Sequence, residues 1–117
     1  MVTEHEIQNA ITRWFALHDF VRVFRQNTGA HKVGKHFVRY GVKGQADLRV
    51  IVGPEGWLWE VEVKTPTGRQ SADQKTYEKM LIGLGGSYTL ARCVEDVWRH
   101  AVERWPDHEW QTPASVL

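Results

Sequence analysis

The sequence predicts an α/β fold with a mixed sheet, in the order α-β-β-β-α-β-α. Three observations carry that prediction. Apolar residues recur at helical spacing in three segments, four runs rich in β-branched and aromatic residues lie between them, and glycine and proline punctuate the changes of period. The first element is a helix over residues 3–18, with Ile7, Ala10, Ile11, Trp14 and Leu17 on one stripe. Thr3 is a good N-cap, and Glu6 follows at the spacing of a capping box. Residues 20–24 read as a strand. Residues 26–44 are polar, basic and glycine-bearing, which predicts a long loop with a short strand at 36–40. Residues 46–52 and 57–65 are both strand-like. Gly53-Pro54-Glu55-Gly56 joins them and suits a type I turn, with Pro second and Gly fourth. After Pro66-Thr67-Gly68 a helix opens at Ser71, again with a capping-box partner, Gln74. Tyr77, Met80, Leu81 and Leu84 form its apolar stripe, and Gly85-Gly86 ends it. Residues 87–93 make the fourth strand. A third helix over 95–105 turns Val97, Trp98, Ala101, Val102 and Trp105 inward and stops at Pro106.

The 117 residues, 42% of them apolar, suit a single domain, with 3–105 as its core and a loose tail over 106–117. Six tryptophans are many for this length, and most are expected in the core or at an interface. The one cysteine, Cys93, excludes an internal disulfide and fits a reducing cytosol. No apolar run reaches signal-peptide or membrane-spanning length, so a soluble cytoplasmic protein with no membrane partner is expected. The net charge of +1 hides an asymmetry. From Val21 to Arg49, seven basic residues (Arg22, Arg25, Lys32, Lys35, Arg39, Lys43, Arg49) accompany one acidic residue, Asp47. With Phe37 and Tyr40 interleaved, this stretch fits a phosphate-binding surface. On charge alone, a solvated face fits it equally well.

The two middle strands carry an anomaly. In the simplest antiparallel register about the 53–56 turn, Val52, Val50 and Leu48 oppose Trp57, Trp59 and Val61, a wholly apolar face. On the other face Ile51 opposes Leu58, Arg49 opposes Glu60, and Asp47 opposes Glu62. Arg49–Glu60 is a sensible pair. Two carboxylates about 4.5–5.5 Å apart at Cβ repel, and stability alone would not select them. Lys64, two residues beyond Glu62, shares their face and offsets one charge. A divalent cation such as Mg²⁺ or Mn²⁺, which prefers oxygen ligands, would offset both. A Glu-x-Lys on an exposed strand face is more often only solvated surface. The opposed Asp47 raises its weight, and because Glu60 already has Arg49, Glu62 is the preferred functional carboxylate.

Asp47 followed by Glu62-Val63-Lys64 on the next strand resembles the PD-(D/E)XK nuclease signature. Gly44-Gln45-Ala46-Asp47-Leu48, Glu60-Val61-Glu62-Val63-Lys64-Thr65 and Ser71-Ala72-Asp73-Gln74, with Glu6 on the leading helix, resemble the VRR-NUC subgroup. The likeness runs from about Thr3 to Arg92. It departs at Ala46, where the superfamily's name has Pro. The resemblance implies a restriction-endonuclease-like αβββαβ core with one helix added at the C-terminus. It implies Asp47 and Glu62 as metal ligands, the Val63 carbonyl as another, and Lys64 beside the attacking water. Glu6 would face the metal directly or through water, and Gln74 would lie near Lys64 and the scissile phosphate; both also fit as helix caps. The activity implied is hydrolysis of DNA to 5′-phosphate and 3′-hydroxyl ends, with branched DNA or a four-way junction as substrate and a homodimer as the acting form. Trp98, Trp105 and Trp110 would suit its interface. Arg25, Lys32, Lys35, Arg39, Lys43 and Arg69 are the candidate DNA contacts. The location implied is the cytoplasm, or a host cytoplasm for a viral chain.

Two readings of other classes compete: a DNA-binding module that binds but never cuts, and a structural domain of a larger assembly. A flap nuclease is the alternative within the enzyme class. The histidines make no compact zinc pattern with Cys93, and Lys32-Val33-Gly34-Lys35 lacks the spacing of a phosphate-binding loop.

Overall fold

The computed structural model describes residues 1–26, 29–33, 36–40 and 42–116; of these, 29–33, 36–40 and 115–116 are described by backbone alone. Helix α1 (Glu4–Phe15) starts where the Thr3 hydroxyl oxygen accepts from the Glu6 N–H at 3.1 Å. It buries Ile7, Ile11, Trp14 and Phe15. It ends short of the expected residue 18, because the chain turns after the C-cap Ala16 and the His18 N–H donates to the Phe15 carbonyl. Phe15 therefore takes the inward place expected of Leu17, which lies exposed beyond the helix.

Strand β1 (Val21–Arg25) follows, and then an antiparallel hairpin of β2 (Gly29–Val33) and β3 (His36–Tyr40). The strand expected at 36–40 is present. The expected loop before it is interrupted, because residues 29–33 pair with that strand. The missed strand holds a single β-branched residue, Val33, so propensity offered almost no signal.

Strands β4 (Leu48–Val52) and β5 (Trp57–Val63) pair in the register inferred from the sequence, Val52↔Trp57 through Leu48↔Val61. Both are shorter than expected. The connection is not the expected type I turn: the Gly56 N–H donates to the Val52 carbonyl at 2.9 Å. Residues 53–56 still form the whole loop, so the register holds.

Helix α2 (Ala72–Gly83) has Ser71 as N-cap, with the full capping box to Gln74 in place. Its apolar contact with the sheet is made by Tyr77 and Leu81, against Ala46, Tyr88, Leu58 and Leu90. That contact is narrow, so Met80 and Leu84, expected inward, are exposed. Strand β6 (Ser87–Ala91) and helix α3 (Val94–Arg104) complete the order. The main sheet runs β1-β4-β5-β6, antiparallel except for the parallel β5–β6 pair. Helices α1 and α3 cover one face of this mixed sheet, over Leu48, Val50, Val52, Trp59, Val61 and Val63. Helix α2 sits on the other.

The tail is not loose. Trp110 packs back on the core, stacked on Trp14 with ring centroids 5.7 Å apart, and lies against Trp59 and Trp105. The Trp14 indole N–H donates to the Gln111 carbonyl at 2.9 Å, and the Gln111 N–H donates to His18 Nε2 at 3.0 Å. A short 3-10 turn (Pro113–Val116) follows against α1. Trp105 and Trp110 thus bury one another within the chain, and Trp98 packs on the same core. Indole burial therefore supplies no argument for an interface between two copies. No helix among the described residues is long and apolar enough to cross a membrane.

Candidate active site

The β4–β5 ladder stops at Leu48↔Val61. One step further, where the register would oppose Asp47 and Glu62, the chain leaves the strand. Gln26, just past β1, holds it there: its backbone N–H donates to the Asp47 carbonyl at 2.8 Å, and its side chain donates to the Ala46 carbonyl at 3.3 Å. The Asp47 side chain takes the place the backbone vacates, its Oδ2 accepting from the Val63 N–H at 2.8 Å. The next amide, Lys64 N–H, points the opposite way and donates to Ala91 on β6 at 3.0 Å. In an extended strand the N–H and C=O of one residue point to the same edge. The Val63 carbonyl is therefore directed to the Asp47 side.

Glu62 lies on the α2 face and is 2% exposed. Its Oε2 accepts from Gln74 Nε2 at 2.9 Å and sits 3.5 Å from Lys64 Nζ. Its Oε1 is buried with no hydrogen-bond partner among the described residues. Burial, and then the charge of Asp47, push the Glu62 carboxyl up to about 7, while Lys64 pulls the other way. The folded value lies above the ordinary 4.5. The group's contribution to stability is thus full below about 4.5 and is lost as pH rises through about 7. A cation held by the two carboxylates must displace that proton. Were the pair to hold Mn²⁺, its apparent affinity would fall by about tenfold per pH unit below 7, with proton release at pH 6 and none at pH 8. Calorimetry in buffers of different ionisation heat measures both. Equal affinity at pH 6 and pH 8 would contradict the assignment.

Neighbouring residues fix this pair. Gln74 serves two roles at once. Its Oε1 accepts from the Ser71 N–H at 2.8 Å, closing the capping box, while its amide nitrogen holds Glu62. Glu60, one row along, is fully buried and fully engaged. It accepts from the Tyr77 hydroxyl at 2.8 Å and Gln26 at 2.7 Å, with Arg49 at 3.4 Å. Burial and the Glu60 carboxylate push the Tyr77 hydroxyl up to about 12, so it stays a donor. Gln45 donates to the Gln26 side chain and completes this network. On the other side of Lys64, Arg92 clamps the following loop by donating to the carbonyls of Thr65 and Gly68, at 2.5 and 2.7 Å.

Of the expected site residues, Asp47, Glu62, Val63, Lys64 and Gln74 come together. Glu6 does not join them. It is exposed, its carboxylate accepts from the Thr3 hydroxyl at 3.2 Å, and it lines a groove with Asn9, Arg13, Pro66 and Arg92. No group of three His, Cys, Asp or Glu side chains able to hold a metal forms among the described residues. Of the expected DNA contacts, Arg25 donates to Asn9 at 2.8 Å on the α1 face, Lys43 pairs with Asp73 at 3.5 Å, and Arg69 is exposed. Lys35 and the side chains of Lys32 and Arg39 lie outside the described residues. Sequence reasoning missed Gln26, Gln45, Tyr77 and Arg92 as supports. A lone glutamine in a basic segment carries no local sign of being buried on a carboxylate. No family model, curated protein or solved structure matches the chain.

Proposed function

We propose that this chain is a divalent-metal-dependent endonuclease for branched DNA. On this reading it is a VRR-NUC domain with the restriction-endonuclease-like αβββαβ core, α3 being the addition, and it resolves four-way junctions as a homodimer. The observation that carries the reading is the buried Glu62, beside the half-buried Asp47 and Lys64, with one of its oxygens left unpartnered among the described residues. A fold built only for stability would not keep such a group, since an unsatisfied buried acceptor costs about 1–3 kcal/mol.

The donor set suits Mg²⁺ or Mn²⁺. Magnesium is held by one or two carboxylates and retains several waters, so two carboxylates and the Val63 carbonyl suffice. Bound there, the cation neutralises the phosphodiester and lowers the pKa of its water. The chain's own groups do the rest. Asp47 is held by the Val63 amide, and Gln74 holds Glu62 through Oε2, which leaves Oε1 without a partner among the described residues. The Lys64 ammonium, next to Glu62, favours negative charge on an attacking oxygen and on the phosphate as the bond forms. Arg69 is exposed on the loop between Lys64 and α2, where it can meet a DNA phosphate.

The test is cleavage of a labelled four-way junction and a matched linear duplex with Mg²⁺, Mn²⁺ or EDTA, beside Lys64→Ala. Paired nicks near the branch point are expected, absent with EDTA and in the variant. Cleavage untouched by Lys64→Ala would remove the site assignment. A monomer by gel filtration would argue against paired cuts.

A further inference from the structure

Among the described residues, the α2 face of the main sheet is only half covered. Helix α2 rests over β5 and β6. Over β1 and β4 the same face carries Arg22, Phe24, Arg49 and Ile51, in rows fixed by the pairs Arg22↔Ile51 and Phe24↔Arg49. Phe24 is 47% exposed, and the Arg22 guanidinium stands 5.8 Å from its ring centre. The Arg49 side chain is 44% exposed. Glu60, its neighbour across the ladder, is buried and satisfied, so the accessible charge on these rows is cationic. Asp47 directly precedes β4, two residues from Arg49 in the chain. An exposed aromatic ring thus has one guanidinium beside it and a second arginine as its partner across the ladder, on the strand that Asp47 precedes.

We propose that this face binds an unpaired nucleic-acid strand, with a base stacked on Phe24 and phosphates on Arg22 and Arg49, and leads it to Asp47 and Glu62. Stacking on an exposed ring needs a base outside a duplex, and every base has a face to offer. The charge decides against a protein strand adding to the edge of β1, which would be drawn by backbone groups and not by two arginines. The proposal deepens the nuclease reading and rests on it for the substrate: the strand of the branched DNA that is cut is held unpaired beside the cleaved bond, as at an opened branch point.

The test is fluorescence anisotropy with the full chain in EDTA, where nothing is cut, using a labelled oligothymidylate and a hairpin duplex of equal length. The oligothymidylate is expected to bind more tightly. Phe24→Ala should weaken it about tenfold or more, Phe24→Tyr should preserve it, and Arg22→Gln should weaken it and flatten its salt dependence. Lys79→Gln, on the exposed surface of α2, should change nothing. Arg22 and Phe24 are both exposed, so these variants should fold. Equal binding by Phe24→Ala and wild type, or tighter binding of the duplex, would overturn the proposal. Phe24-dependent binding without cleavage under any metal would keep this face and refute the nuclease. Cleavage of branched DNA untouched by Phe24→Ala would do the reverse.

Discussion

Asp47→Asn is expected to stabilise the fold at pH 8 while removing cleavage. The two effects have one cause. Glu62 is buried, and Asp47 is the larger of the charges beside it that act on its carboxyl, which is pushed up to about 7. A rise from 4.5 to about 7 corresponds to about 3 kcal/mol between the two protonation states. Above pH 7 the folded chain ionises Glu62 against that cost. Asp47 ranks after burial among the causes, so removing its charge should restore about 1 kcal/mol. Asn keeps an oxygen to accept the Val63 N–H, so the local hydrogen bond survives. Below pH 4.5 Glu62 is protonated in both states and its share of the gain should vanish. Urea midpoints at pH 8 and pH 4.5 read this directly. Cleavage should fall by more than the roughly 10–100-fold expected for losing a partner one shell outside a metal. A destabilised but active Asp47→Asn would overturn both the repulsion and the site. A stabilised, inactive one is the signature of a group kept at a cost to the fold.

The same anomaly makes part of the site legible in the sequence alone. The β4–β5 register followed from alternation, because Leu48, Val50 and Val52 have to face the core together, and that placed Glu62 and Lys64 on one side. Extending the register to Asp47 predicted proximity to Glu62 but not the real arrangement. There a side chain replaces a rung of the ladder, beside contacts from Gln26, which is distant in sequence. Gln74 was ambiguous between a cap and a site residue because one amide can do both, its oxygen closing the box and its nitrogen reaching Glu62. Glu6 was misplaced because position on a helix face does not say which groove that face lines. The tail was misread for a related reason. Periodicity ends at Pro106, yet a single tryptophan, Trp110, is enough to anchor a segment that has no repeating pattern.

Gly44→Ala should be among the most damaging small substitutions in the chain, and Gly56→Ala is its control. Both glycines have φ of +78°, where an L side chain costs about 1–2 kcal/mol. They differ in surroundings. A Cβ on Gly56 meets nothing within 4 Å, whereas one on Gly44 would lie 2.2 Å from the Asp73 carbonyl oxygen and 3.0 Å from the Gln74 nitrogen. Both contacts are backbone, so the first turn of α2 has to move. Overpacking of this kind adds about 1–3 kcal/mol. The expected loss is therefore about 1–2 kcal/mol for Gly56→Ala and about 2–5 kcal/mol for Gly44→Ala, read from urea midpoints. Function should separate the pair further. The turn that Gly44 touches carries Gln74, which holds Glu62, and the chain on its other side runs through Gln45 to Asp47. Displacing it moves the two carboxylates relative to each other. Mn²⁺ affinity should fall for Gly44→Ala in protein that is still folded and stay unchanged for Gly56→Ala. Equal midpoints would show that the α2 turn yields freely. Unequal midpoints with equal Mn²⁺ affinity would show that Gln74 does not position Glu62 for the metal.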